Sequence, residues 1–234
     1  WLIYSSENRT ASVKMQLMQF AADRKVGDMT YAQRKQAYKW VQSHFTIINN
    51  NQVYSYSDII VFMEKVRAQQ QIDAIFVDPY NSLKLDMKNS SIGVHDYHYE
   101  AASEFLTYST AQRRKGPDGL PIAPFAEDTE GGGKFVNRAD CFITIHRKVQ
   151  APDHNIRKLS EFHVRKVREV ETGGQPTPFD QPYNLLMNLS HTGFTSWESR
   201  EKLFQPIHFE GDAQSAINFS EILLIDKNNE GGDN

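Results

Sequence analysis

At 234 residues, with 39% hydrophobic and 12% aromatic content, the chain can bury the core of one large α/β domain, or as the second choice of two small ones, and is expected to fold. A formal net charge of −3 excludes a global basic signature, so any nucleic-acid contact has to come from local basic loops on one face. The one cysteine, Cys141, excludes an internal disulfide framework and fits a reducing, cytoplasmic compartment. No apolar run is long enough to span a bilayer and there is no charged-then-apolar leader, so no membrane association is expected. The chain starts at Trp1 within a β-favouring run, which reads as the beginning of a fragment.

Trp1-Leu2-Ile3-Tyr4-Ser5-Ser6 is apolar and β-favouring, and ends on Ser6-Glu7-Asn8 before a helix that Thr10 can cap. It is a strand presenting an acid at its end. From Ala11 to Lys25, Val13, Leu17 and Phe20 fall at helical spacing, and Gly27 stops that helix. Thr30 can cap a second helix, whose Tyr31, Tyr38, Val41 and Phe45 share a face. These stripes read as core. Phe45-Thr46-Ile47-Ile48 reads as a short strand, and Ser57 opens a helix carrying Ile59, Phe62, Met63 and Val66. Ile72 to Val77 is then a buried strand that delivers Asp78 to its C-terminal edge, where open α/β sheets bind ligands. An acid there can hold Mg²⁺ through water. Asp-Pro is equally a common start to a turn. Strand, helix, strand, helix, strand is the order of a parallel sheet with right-handed crossovers.

Beyond Asp78, Tyr97, Ala101, Phe105 and Tyr108 recur at helical steps, giving a helix around His95–Ser109. His95 and His98 lie one turn apart, a metal-ligand spacing that solvated helix faces also show. Arg113-Arg114-Lys115-Gly116-Pro117-Asp118-Gly119 is a basic, turn-rich loop, and the chain stays irregular to Gly131-Gly132-Gly133-Lys134. Such a loop can follow a phosphate backbone or simply be solvated. Ala139–Arg147 reads as a buried strand and Phe162–Val170 as a strand with a heavy positive load. Lys166 and Arg168 project to one side of it, which suits capture of a phosphate from an adjoining molecule. Charge protecting an edge strand is the alternative. Tyr183–Leu189 is a further strand, and Asn228–Asn234 a polar tail.

The order of these motifs resembles RecA-like ATPases of the DnaB replicative-helicase type. Ile3-Tyr4-Ser5-Ser6-Glu7 is similar to their strand ending in a catalytic glutamate, and Ile75-Phe76-Val77-Asp78 to their Walker B strand. Asn137-Arg138-Ala139-Asp140-Cys141-Phe142-Ile143 resembles the Ala-Asp strand that follows their DNA-binding loop. Val164-Arg165-Lys166-Val167-Arg168, with Gly173-Gly174, resembles their Lys-x-Arg strand and glycine turn. The resemblance implies one RecA-like α/β domain over residues 1–225 and a polar tail over 226–234. Its central sheet would be mostly parallel, with helices on both faces and antiparallel strands towards the C-terminus. It also implies ATP and Mg²⁺ as ligands. Glu7 would polarise the attacking water, Asp78 would order Mg²⁺, and Lys166 with Arg168 would reach the ATP site of a neighbour in a hexameric ring. Gln112 would match the sensor residue, and Arg113, Arg114, Lys115 and Lys134 would grip single-stranded DNA. The looseness of the match fits a phage or prophage member.

Two departures stand out. No Gly-x-x-x-x-Gly-Lys-[Ser/Thr] occurs, and the fold expects that phosphate loop just before Trp1. A buried strand expected between Tyr108 and Arg113 is not recognisable, so either that strand is lost or residues are missing from the sequence there, and the second is favoured because loss of a central strand would expose apolar helix faces. The function classes left open are a hexameric helicase, a RecA/RadA-like recombination or repair ATPase, and a non-catalytic DNA-binding module that kept the sheet.

Overall fold

The computed structural model describes residues 1–79, 82–84, 106–107, 111, 114–129, 136–137, 139–188 and 192–209. Strand β1 (Leu2–Ser5) is buried along its whole length, as expected of a central strand. Helix α1 (Thr10–Ala22) follows, with Arg9 and not Thr10 at its N-cap, and ends on Asp23 in the left-handed region. Helix α2 (Tyr31–His44) opens on a capping box, in which Thr30 Oγ1 accepts from Gln33 N and Gln33 Oε1 accepts from Thr30 N. The short strand β2 (Thr46–Ile47) leads to α3 (Tyr56–Arg67), capped by Ser55 with Asp58, two residues earlier than the sequence suggests. Strand β3 (Ile75–Asp78) comes next.

These strands form a parallel sheet of order β2-β1-β3-β4, where β4 is Leu106–Thr107. The chain leaves β1 towards β2 and then returns past β1 to β3. Right-handed crossovers in opposite directions put α1 and α2 on one face and α3 on the other. Packing agrees. Ile59 of α3 joins Leu2, Tyr4, Ile75 and Val77 in one buried cluster, while Met18, Ala22, Met29, Ala37 and Val41 of the α1–α2 layer form another with Phe209. Each fully buried Leu or Ile there contributes about 1.5–3 kcal/mol relative to exposure.

Strand β4 corrects the reading of the sequence. The helix placed around His95–Ser109 does not extend over Leu106–Thr107, which pair in parallel with Phe76 and Val77. The strand expected between Tyr108 and Arg113 is a separate matter: of those positions only Ala111 is described, in an isolated bridge with Thr129. The rest of that helix, with His95 and His98, lies outside the described residues.

Strands β5 (Cys141–His146), β6 (Leu159–Val167), β7 (Tyr183–Met187) and β8 (Phe194–Ser196) form a second, antiparallel sheet in that order. Strand β6 pairs with β7 over Leu159–Phe162 and with β5 over Glu161–Val167, so among the described residues its Lys166 end has a ladder partner on the β5 side alone. Among the described residues no ladder joins the two sheets. No helix among them is long and apolar enough to cross a membrane.

Candidate active site

Reversal of the crossover direction creates a switch point between β1 and β3, and a ligand crevice is expected outside their carboxyl ends. Ser5 and Asp78 are register partners at that end. Ser5 Oγ donates to Asp78 Oδ2 at 3.2 Å, and Asn8 Nδ2 donates to the same oxygen at 3.3 Å. Ser5 Oγ accepts from Asn8 N at 3.2 Å, while Asn50 Nδ2 donates to Asn8 O at 2.9 Å. Ser6 N donates to Asp78 O at 3.0 Å, and its hydroxyl donates to Ser82 Oγ at 2.6 Å. The half-buried Asp78 is thus oriented through one oxygen. Among the described residues both donors reach Oδ2, which keeps the lone pairs of Oδ1 for a cation or a water.

Glu7 stands exposed between Ser6 and Asn8, so hydrogen bonds on either side anchor its backbone at the crevice. Among the described residues no three His, Cys, Asp or Glu side chains converge as a metal cluster. A divalent ion here would rest on Asp78 plus water and phosphate oxygens. That donor set fits Mg²⁺, a hard cation that keeps several waters. The sequence supplies no glycine-rich phosphate loop to complete the site.

Lys166 and Arg168 lie at the far end of β6, on the other sheet. A bulge precedes them: Phe142 opposes Lys166 but Ile143 opposes Val164, which leaves Arg165 as the extra residue. Bulges re-aim side chains, and this one brings Lys166 to the Phe142 side of the ladder while Val164 stays with Ile143. Lys166 Nζ donates to Val136 O at 2.8 Å and to Asn137 O at 2.9 Å. Arg168 Nη2 donates to Asn137 O at 3.2 Å, and its Nη1 pairs with Asp140 at 2.5 Å. Beyond them Gly174 has φ +79°, and a Cβ on Gly173 would meet Val167 Cγ1 at 2.8 Å, so the glycine turn is sterically required.

The basic loop has more structure than its composition suggests. Gly116 N donates to Leu120 O and Ile122 N to Arg114 O, making a hairpin whose tip holds Gly119 at φ +76°. Arg114 forms an ion pair with Asp128 and lies over the Phe125 ring, whereas Lys115 is exposed. The segment rests on the antiparallel sheet: Thr144 Oγ1 donates to Pro124 O at 3.1 Å, and His146 Nε2 contacts Pro121 O at 3.2 Å. Arg165 sits over Phe125 and Phe179, which stack on each other. Burial pulls the pKa of His146, His163 and Arg165 below their ordinary values, and Glu161 opposes this for all three. Gln112, Arg113 and Lys134 lie outside the described residues.

Sequence reasoning missed Ser5 and Asn8 as partners of Asp78, and Asn137 and Asp140 as partners of the cations. The available signal was register: the acid-ending strands had only to be aligned at their last residues to bring Ser5 opposite Asp78.

No protein-family model matches the chain, and no curated protein is significantly similar to it. Solved structures are. The ATPase domain of G40-P aligns with a TM-score of 0.61 at 12% identity, covering 83% of this chain and 73% of that one. A DnaB-like replicative helicase, solved for its interactions with primase, aligns with a TM-score of 0.58 at 13% identity. That match covers 82% of this chain, which spans about half (49%) of the helicase. With its switch point, parallel sheet and C-terminal antiparallel strands, the chain has the RecA-like fold of DnaB-type helicase ATPase domains.

Proposed function

We propose that the chain is the motor domain of a DnaB-like replicative helicase, which couples ATP hydrolysis to translocation on single-stranded DNA as a homo-oligomer, expected to be a hexameric ring. The observation that carries this reading is the pair of acids at one crevice: Asp78 bonded across the switch point to Ser5, with Glu7 on the loop that leaves the same strand. The likeness of the fold to a DnaB-like helicase supports it.

In this reading Glu7 takes the proton of the attacking water, and Asp78 orients waters around Mg²⁺. The ion, when bound, neutralises charge on the β- and γ-phosphate oxygens. Lys166 and Arg168 act in trans, on the γ-phosphate held by a neighbouring subunit. Gln112 acts as the sensor, and Arg113, Arg114, Lys115 and Lys134 contact the DNA backbone. Because Arg114 is paired with Asp128, Lys115 carries more of that contact.

The test is ATP hydrolysis by the full-length protein, with and without single-stranded DNA, for wild type and Glu7→Gln. DNA should stimulate wild-type turnover, and the substitution should lower kcat by roughly 100-fold or more while ATP still binds. Absence of hydrolysis in an intact oligomer would point to a non-catalytic DNA-binding module. A filament on DNA, where a ring is expected, would favour a recombination or repair ATPase.

A further inference from the structure

Lys166 and Arg168 converge on one backbone oxygen, Asn137 O, at 2.9 and 3.2 Å. Two cations brought to one carbonyl repel each other unless a counter-charge stands beside them. Asp140 is that counter-charge, since its carboxylate pairs with Arg168 Nη1 at 2.5 Å and its carbonyl accepts from Arg168 N at 2.8 Å. The Asp140 side chain is 79% exposed and that of Arg168 46% exposed. Exposed ion pairs add little to stability, so holding the fold together does not account for this one.

We propose that Asp140 is a positioning residue for the trans-acting cations. Together with the Asn137 carbonyl it fixes the Arg168 guanidinium and the Lys166 ammonium as one two-headed unit at the end of β6, facing the nucleotide of the next subunit. The proposal rests on the helicase-motor reading above. Its physical basis is pre-ordering. A long, rotamer-rich arginine that has to be ordered at every encounter with a phosphate loses part of its interaction energy to that ordering, and misplacement by an ångström is costly in rate. Asp140 grips one arm of the planar fork, and the fork geometry then fixes the direction of the other donors. The bulge at Arg165 works to the same end, because it turns Lys166 towards Asn137 O.

The experiment uses the full-length protein carrying Asp140→Asn, with Asp140→Glu and Glu7→Gln for comparison. Asp140→Asn should lower kcat for DNA-stimulated ATP hydrolysis about tenfold. KM and the Kd of a fluorescent ATP analogue should stay within about twofold, because the residue acts on a neighbour's transition state. Tm should move by no more than about 2 °C. Asp140→Glu, which keeps the charge, should recover part of the rate. Mixed oligomers give the decisive readout. A Glu7→Gln subunit has an inert site of its own but properly held cations, so it should complete the site of an Asp140→Asn neighbour. Turnover of the mixture should then exceed the sum of the two separate variants.

Wild-type kcat in Asp140→Asn would overturn the proposal. So would a fall in kcat matched by lost nucleotide affinity or Tm, or the absence of complementation in the mixture. No turnover by the wild-type oligomer would reject the motor reading itself, and the proposal with it.

Discussion

A carboxylate proposed to order a hydrated cation would gain from being held still, and Asp78 is held through a hydroxyl that is itself held. Ser5 is 4% exposed, and its Oγ both donates to Asp78 and accepts from the Asn8 backbone. Ser5→Ala removes these two bonds and a third, from Asn8 Nδ2 at 3.3 Å, and leaves the Asn8 N–H without that acceptor. Partners of metal-binding side chains are commonly worth 10- to 100-fold in affinity, so the Mg²⁺ concentration for half-maximal ATPase should rise roughly tenfold. Stability should fall by about 1–2 kcal/mol. A magnesium titration of hydrolysis together with urea unfolding checks both, and an unchanged magnesium midpoint would count against Asp78 as the metal-facing acid. The residues of this site differ in how legible they were. Asp78 and Glu7 stand out because an apolar β-run ending on an acid is a local pattern. Ser5 and Asn8 do not, because their role depends on the pairing of β1 with β3 across some seventy residues. The same holds for Asp140, whose meaning appears only when β5 lies beside β6.

At the scale of elements, helices were easier to read than short strands. Three-and-four spacing located α1, α2 and α3, and the Thr30 cap fixed the start of α2, whereas α3 starts on Ser55 and not on the Ser57 that the sequence suggested. Phe105 and Tyr108 continued a helical spacing through Leu106 and Thr107, and periodicity cannot separate a two-residue strand from a buried helical turn. Position within a sheet was also hidden: β6 is flanked on both sides only at Glu161 and Phe162, its Lys166 end pairs with β5 alone, and the 114–129 segment lies over β5 at Thr144 and His146 and under Arg165 at Phe125. That covering predicts a pH response. His146 and His163 are 9% and 5% exposed, and burial holds both imidazoles below their ordinary pKa, against the pull of Glu161. An unfolded histidine titrates near about 6.5. Below that value the unfolded chain takes up protons that the folded sheet resists, so this contribution is full above about pH 6.5 and is lost as pH falls towards the lowered folded values. Thermal unfolding of the wild type should therefore weaken between about pH 7.5 and 5.5. The double variant His146→Gln, His163→Gln should show a flatter slope over that window. An equal slope would place the proton uptake elsewhere.

At the scale of the whole molecule, Glu7 and Asp78 belong to the parallel sheet and Lys166 and Arg168 to the antiparallel one, so the proposed motor would need a stiff tie between the two. One tie visible among the described residues is the C-terminus of α1, beside the packing of Trp40 against Phe204. Asp23, at φ 46°, accepts from Asn188 Nδ2 at 2.7 Å and from Thr192 Oγ1 at 2.9 Å, and pairs with Lys202. Next to it Ile207 N donates to Ala21 O at 2.8 Å, and Phe209 enters the α1–α2 cluster. One carboxylate thus gathers the β7–β8 loop and the chain after β8 onto a helix of the first sheet. Asp23→Ala strips three partners, two of them at a residue pair that includes the fully buried Thr192, and puts an alanine in the left-handed region. The expected loss is about 2–4 kcal/mol, read from urea unfolding. Asp23→Asn keeps an acceptor oxygen and tolerates that backbone, so it should lose only about 1 kcal/mol, mainly the pairing with Lys202. If Asp23→Ala instead cost no more than Asp23→Asn, the apolar seat of Phe209 would be what joins the halves, and Phe209→Ala would become the substitution that uncouples them.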